Sequence, residues 1–122
     1  MKHINKPKGQ RTFLAGLKVY EAHGTSDSVV LVNGVETSPI KAWANLVNSG
    51  YTPKTCPHCG RNVDDDPGLI MVGAHVLDIN KSENIKHGES CYIIPLCNSC
   101  NSTDLPRGFS LRRDVKALQV MF

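Results

Sequence analysis

The chain has 122 residues, 40% hydrophobic and 6% aromatic, with a formal net charge of +3. That length fits one domain burying roughly two-thirds of its unfolded surface, and so few aromatics leave a modest core that a metal staple would reinforce. The mild charge excludes a histone-like composition and permits nucleic acid as a partner without demanding it; no apolar run of about 18 residues marks a membrane span, and Met1-Lys2-His3-Ile4-Asn5-Lys6 lacks the apolar region of a secretory signal.

Residues 1–18 carry Lys2, Lys6, Lys8, Arg11 and Lys18 and no acid. Two readings stay open: a solvated arm, or a tail that contacts phosphate. Phe13, Leu14 and Leu17 offer some packing, and Thr12–Tyr20 is a candidate strand. Val29-Val30-Leu31-Val32, then Asn33-Gly34, then Val35-Glu36, predicts a hairpin, because a type I′ turn needs positive φ at both central residues. A helix follows. Ser38 suits its N-cap and Pro39 its first position, Ile40, Trp43, Leu46 and Val47 recur at helical spacing, and Gly50 suits its end. Trp43 is expected in the core.

Tyr51–Thr55 leads to Cys56-Pro57-His58-Cys59, and Asp64-Asp65-Asp66-Pro67 reads as a solvated acidic turn. Leu69–Leu77 is a predicted strand carrying His75, Asp78–Ser90 a long hairpin loop, and Tyr92-Ile93-Ile94 the returning strand. Pro95-Leu96-Cys97 is expected to enter a short helix at Cys97-Asn98-Ser99-Cys100, ended by Pro106 and Gly108. Phe109-Ser110-Leu111 and Ala117–Met121 read as a closing pair of strands around Arg112-Arg113-Asp114.

The chain has five cysteines. Cys56 with Cys59 and Cys97 with Cys100 each have the spacing of half a tetrahedral Zn²⁺ site. Disulfides within such short pairs would staple almost nothing, so the usage fits a reducing, cytoplasmic compartment. A set of four thiolates is closed: no position is left for water, so the ion is structural and not a Lewis acid. Pro57 and Gly60 suit a tight knuckle whose backbone N–H groups face the sulfurs. Cys91, near a strand edge, reads as a small buried thiol. His58 lies between two better ligands and is left out of the set. His3, His23 and His87 occupy polar stretches and receive no role.

Knuckle, hairpin and a helix holding the second pair follow the order of a treble-clef zinc finger. Within that class the chain resembles the zinc-bearing HNH (His-Me finger) nucleases, over about residues 54–104. The matching residues are Cys56-Pro57-His58-Cys59-Gly60, Ala74-His75-Val76 and Pro95-Leu96-Cys97-Asn98-Ser99-Cys100-Asn101. The resemblance implies His75 as general base, Asn101 as a ligand of a catalytic Mg²⁺ or Mn²⁺, and a phosphodiester substrate. Two positions depart from the pattern. Ala74 stands where an acidic ligand is common, and Tyr92 stands near the usual place of an asparagine that orients the base. An uncharged Ala and Asn hold a hard divalent cation weakly.

The resulting expectation is a small single α+β domain. Residues 1–53 form an N-terminal strand, hairpin and helix element, and residues 54–122 a treble-clef zinc module with a short C-terminal β extension. Cys56, Cys59, Cys97 and Cys100 are the metal ligands. The leading function is a structural-zinc binding module that contacts nucleic acid or a protein without catalysis. An HNH-type metal-dependent endonuclease and a small mobile-element interaction or inhibitor protein are the alternatives. No oligomeric state is signalled.

Overall fold

The first strand, β1 (His3–Phe13), is also the longest, and it arises from a segment in which only Asn5 and Phe13 are buried. Backbone pairing, not side-chain burial, holds it. Residues 3–5 run parallel to β3 (Ser28–Val32), and Lys6–Phe13 run antiparallel to β8 (Val115–Met121). Near the change of partner the register shifts between Pro7 and Gly9. A bulge there accommodates a proline, which has no N–H to give to a ladder. This computed structural model describes residues 3–22, 28–77, 89–102 and 108–121. The expectations for Lys2, His23, residues 78–88 (most of the long loop, with His87) and the helix end at Pro106 lie outside the described residues.

The remaining strands are β2 (Lys18–Glu21), β4 (Val35–Thr37), β5 (Met71–Leu77), β6 (Ser90–Cys97) and β7 (Phe109–Ser110). Together they make one eight-stranded mixed sheet in the order β4-β3-β1-β8-β6-β5-β2-β7. Two short helices, α1 (Pro39–Val47) and α2 (Asn98–Ser102), complete the described elements. The protein is therefore predominantly β, and the expectation of a small α+β treble-clef domain is overturned. The reason is continuity: β8 bonds to both β1 and β6, so the β5–β6 hairpin belongs to one sheet with the N-terminal strands.

Several local expectations change with it. Thr12–Tyr20 is not one strand, because Leu14–Leu17 turns the chain between β1 and β2, with the Leu17 N–H donated to the Leu14 carbonyl at 3.1 Å. Residues 3–13 are strand and not an arm. Pro95, Leu96 and Cys97 extend β6, and the helix begins only at Asn98. β7 and β8 do not pair with each other: β7 borders β2. Pro95 is tolerated within β6 because β8 pairs only with Ser90–Ile93, leaving that stretch a single neighbour, β5.

The Asn33-Gly34 turn is present, with φ of 50° and 78°. α1 begins where predicted and ends at Val47, with Asn48 as its C-cap; Gly50 follows at φ 88° and donates its N–H to the Ala44 carbonyl at 2.8 Å. Ser38 precedes the helix in extended conformation without a side-chain cap, and Pro39 opens it. Ala42, Trp43, Ala44 and Val47 are buried, whereas Leu46 is 41% exposed. Trp43 donates its indole N–H to the Lys116 carbonyl at 2.8 Å, which ties α1 to β8.

Alternation along the strands divides the core in two. One face carries Leu77, Ile93, Leu118 and Val120 against α1. The other carries Phe13, Ala74, Val76, Ile94 and Leu96, and joins Cys56, Cys97 and Cys100. α1 reaches its face at Gly73, where a Cβ would lie 2.7 Å from the Ile40 nitrogen and the Pro39 carbonyl carbon.

Candidate metal centre

Two turns present the four sulfurs. In the first, the Cys56 N–H bonds the Arg61 carbonyl at 2.9 Å and the Gly60 N–H bonds the Cys56 carbonyl at 3.0 Å. Gly60 closes the turn at φ 79°, a left-handed conformation that disfavours a side chain. In the second, Cys97 ends β6 and Cys100 sits in α2. Asn98 fastens this turn: its side-chain oxygen accepts from the Ile70 N–H at 3.2 Å, and its amide nitrogen donates to the Gly68 carbonyl at 3.2 Å.

The four Sγ atoms all lie within 4.8 Å of one another. Cys56 and Cys100 are 3.9 Å apart, and Cys59 and Cys97 are 3.8 Å apart. A tetrahedron with Zn–S bonds of about 2.3 Å has sulfur–sulfur edges of about 3.8 Å, whereas a disulfide would need about 2.05 Å. The donor set thus fits a zinc ion, and the cysteines are free thiols.

N–H groups point at the sulfurs from both turns. The Cys97 N–H donates to Cys56 Sγ at 3.4 Å, and the Cys100 N–H to Cys97 Sγ at 3.4 Å. The Arg61 guanidinium donates to Cys97 Sγ at 3.9 Å. Burial pushes the Cys59 thiol up, but hydrogen bonds from the Arg61 side chain and backbone outweigh it and bring the group down to about 6. Burial pushes the Cys56 and Cys100 thiols up. Four sulfurs this close do not all ionise unless a cation neutralises their repulsion.

A third segment closes round the knuckle. The Arg112 N–H donates to the Pro57 carbonyl at 2.8 Å. The His58 ring donates through Nδ1 to the Ser110 carbonyl at 3.1 Å and packs 4.7 Å from the Phe109 ring. His58 therefore braces the knuckle from outside the cysteine cluster.

The other two expected site residues do not join this cluster. His75 lies on β5 opposite Ile93, on the α1 face, whereas its neighbour Ala74 packs in the core shared with the cysteines. The His75 side chain is buried and donates from Nε2 to Asn5 Oδ1 at 2.8 Å. Burial drives its pKa down to about 4. Asn101 is exposed on α2. Tyr92 lies beneath the Arg11 guanidinium, 5.7 Å from its ring centre. Cys91 is buried, and burial pushes its thiol up to about 12.

Sequence reasoning missed Arg61 and Asn98. The signal for Arg61 was a cation two positions after Cys59, where it can reach back to the sulfurs. Asn98 gave no signal, because its partners at Gly68 and Ile70 are distant in the chain. The triple Asp64-Asp65-Asp66 is a turn in which Asp64 pairs with Lys54 at 3.0 Å and Asp66 with Arg61 at 3.2 Å. No helix among the described residues is long and apolar enough to cross a membrane. No protein-family model, curated protein or solved structure matches the chain.

Proposed function

We propose that the protein is a structural-zinc binding module that contacts nucleic acid and does not cleave it. The observation that carries this reading is the closed set of four sulfurs at tetrahedral spacing, joining the Cys56–Cys59 turn to the end of β6 and α2. With Cys56, Cys59, Cys97 and Cys100 as ligands, the ion has no open position for a reacting water. Its role is to fix two turns that the modest core alone holds weakly. Exposed cations near the site, Lys54, Arg112, Arg113 and Lys116, supply a surface for phosphate.

The non-catalytic part rests on His75. A general base must reach water and a substrate proton, but this ring is 7% exposed and its Nε2 proton is committed to Asn5. Among the described residues, Cys56, Cys59, Cys97 and Cys100 form the only group of three or more His, Cys, Asp or Glu side chains close enough to hold a metal ion.

The test has two arms. Purified protein is expected to carry one zinc per chain by elemental analysis, and to bind a labelled oligonucleotide with affinity that falls steeply as salt rises. With Mg²⁺ or Mn²⁺ added, plasmid DNA and RNA are expected to stay intact. Cleavage that disappears in His75→Ala while the fold survives would replace this reading with an endonuclease. Salt-independent binding, or no binding, would remove nucleic acid as the partner.

A further inference from the structure

A cleft of about 320 Å³ lies between the end of α1, the zinc knuckle and the start of β8. Its inner wall is apolar: Trp43, Pro57 and Val115 line it and are buried. Its rim is cationic, with Lys54, Arg113 and Lys116 exposed around the opening. Lys54 is engaged with Asp64 at 3.0 Å, whereas no ion pair engages Arg113 or Lys116 among the described residues. The single carboxylate on the lining, Asp114, accepts the Ala15 N–H at 2.8 Å.

An apolar wall beneath two available cations suits a flat, weakly polar ring attached to an anion. A nucleotide unit has that chemistry: the base can enter the cleft while its phosphate meets Arg113 and Lys116. A duplex keeps its bases stacked inside and offers only phosphates, whereas a single strand can splay a base into a pocket of this size. The geometry points to this cleft as the site where the protein holds one nucleotide of a single-stranded nucleic acid. The inference rests on the nucleic-acid reading above and gives it a location and a strand type. The knuckle supplies Pro57 to the wall, so the zinc centre shapes the site without touching the strand.

The chain has a single tryptophan, and it lines the cleft, so Trp43 emission reports occupancy directly. The experiment titrates the zinc-loaded protein with a fluorescein-labelled twelve-base oligothymidylate at low salt, following label anisotropy and Trp43 emission together. The same sequence paired with its complement is the duplex arm. The expected result is a saturable change in Trp43 emission with the midpoint seen by anisotropy, and weaker binding of the duplex. Arg113→Ala and Lys116→Ala are each expected to weaken single-strand binding by about three- to tenfold with unchanged melting temperature. Lys41→Ala, on the exposed side of α1, is expected to leave it unaltered. Oligonucleotide bound by anisotropy with Trp43 emission unchanged overturns the cleft and leaves the nucleic-acid reading standing. Equal duplex and single-strand affinities also overturn it. An oligonucleotide that does not bind at all removes both.

Discussion

The imidazole Nε2 of His75 stands 2.8 Å from the side-chain oxygen of Asn5, joining strands that are not neighbours in the sheet. An amide oxygen only accepts, so Nε2 carries a proton in this bond, and burial keeps the ring neutral at pH 7 by lowering its pKa to about 4. Both residues are buried.

The burial of His75 sets a pH dependence. Burial lowers the folded-state pKa of His75 to about 4, against an ordinary value of 6.5. Between those values the unfolded chain holds a proton that the folded chain lacks. The contribution of His75 to stability is intact above about pH 6.5 and is lost as pH falls towards 4, by up to about 3 kcal/mol. Urea unfolding of wild type and His75→Leu at pH 7.5 and 5.0 measures it. The variant is expected to be less stable at pH 7.5 and to lose less on acidification; parallel losses would contradict the assignment.

Gly73 gives the sharpest packing prediction. An added Cβ would meet backbone atoms of Pro39 and Ile40 at 2.7 Å, and backbone at the start of a helix cannot rotate aside. Gly73→Ala is expected to destabilise the fold by about 1–3 kcal/mol. Equilibrium denaturation reads this, and wild-type stability in the variant would mean that α1 does not sit against β5 as described.

Zinc removal tests the staple. A strong chelator, or Cys97→Ser, is expected to lower the melting temperature by about 10 °C or more, since each kcal/mol lost moves a chain of this size by several degrees. Cys91→Ser lies away from the cluster and is expected to keep full zinc content. An unshifted melt for Cys97→Ser would refute the metal centre.

Arg61 separates support of the sulfurs from simple charge. Its guanidinium bonds Cys97 Sγ at 3.9 Å and Asp66 at 3.2 Å. Arg61→Ala is expected to weaken zinc binding by about tenfold or more in competition with a chromophoric chelator. Asp66→Asn breaks only an exposed ion pair, of a type worth little, and is expected to leave zinc affinity unchanged.

The parts legible in the sequence are those specified by near neighbours. Asn33-Gly34 demanded its own turn, Ser38-Pro39 opened α1, and the spacing of Cys56, Cys59, Cys97 and Cys100 brought four sulfurs together. β1 was illegible because its pattern records almost no burial: Lys6, Lys8, Gln10, Arg11 and Thr12 are all exposed, and the strand exists through backbone bonds to β3 and β8. That strand is also why the α+β expectation failed. The partner of His75, Asn5, came from β1, which no local pattern could indicate.

The β1–β8 ladder also orders events during synthesis. The Lys6–Phe13 stretch of β1 leaves the ribosome long before its antiparallel partner, β8, has been translated, so its ladder groups stay open to water while the rest of the chain is made. Its charged and amide side chains keep that waiting segment hydrated and discourage premature association, and the sheet can close only when β8 arrives.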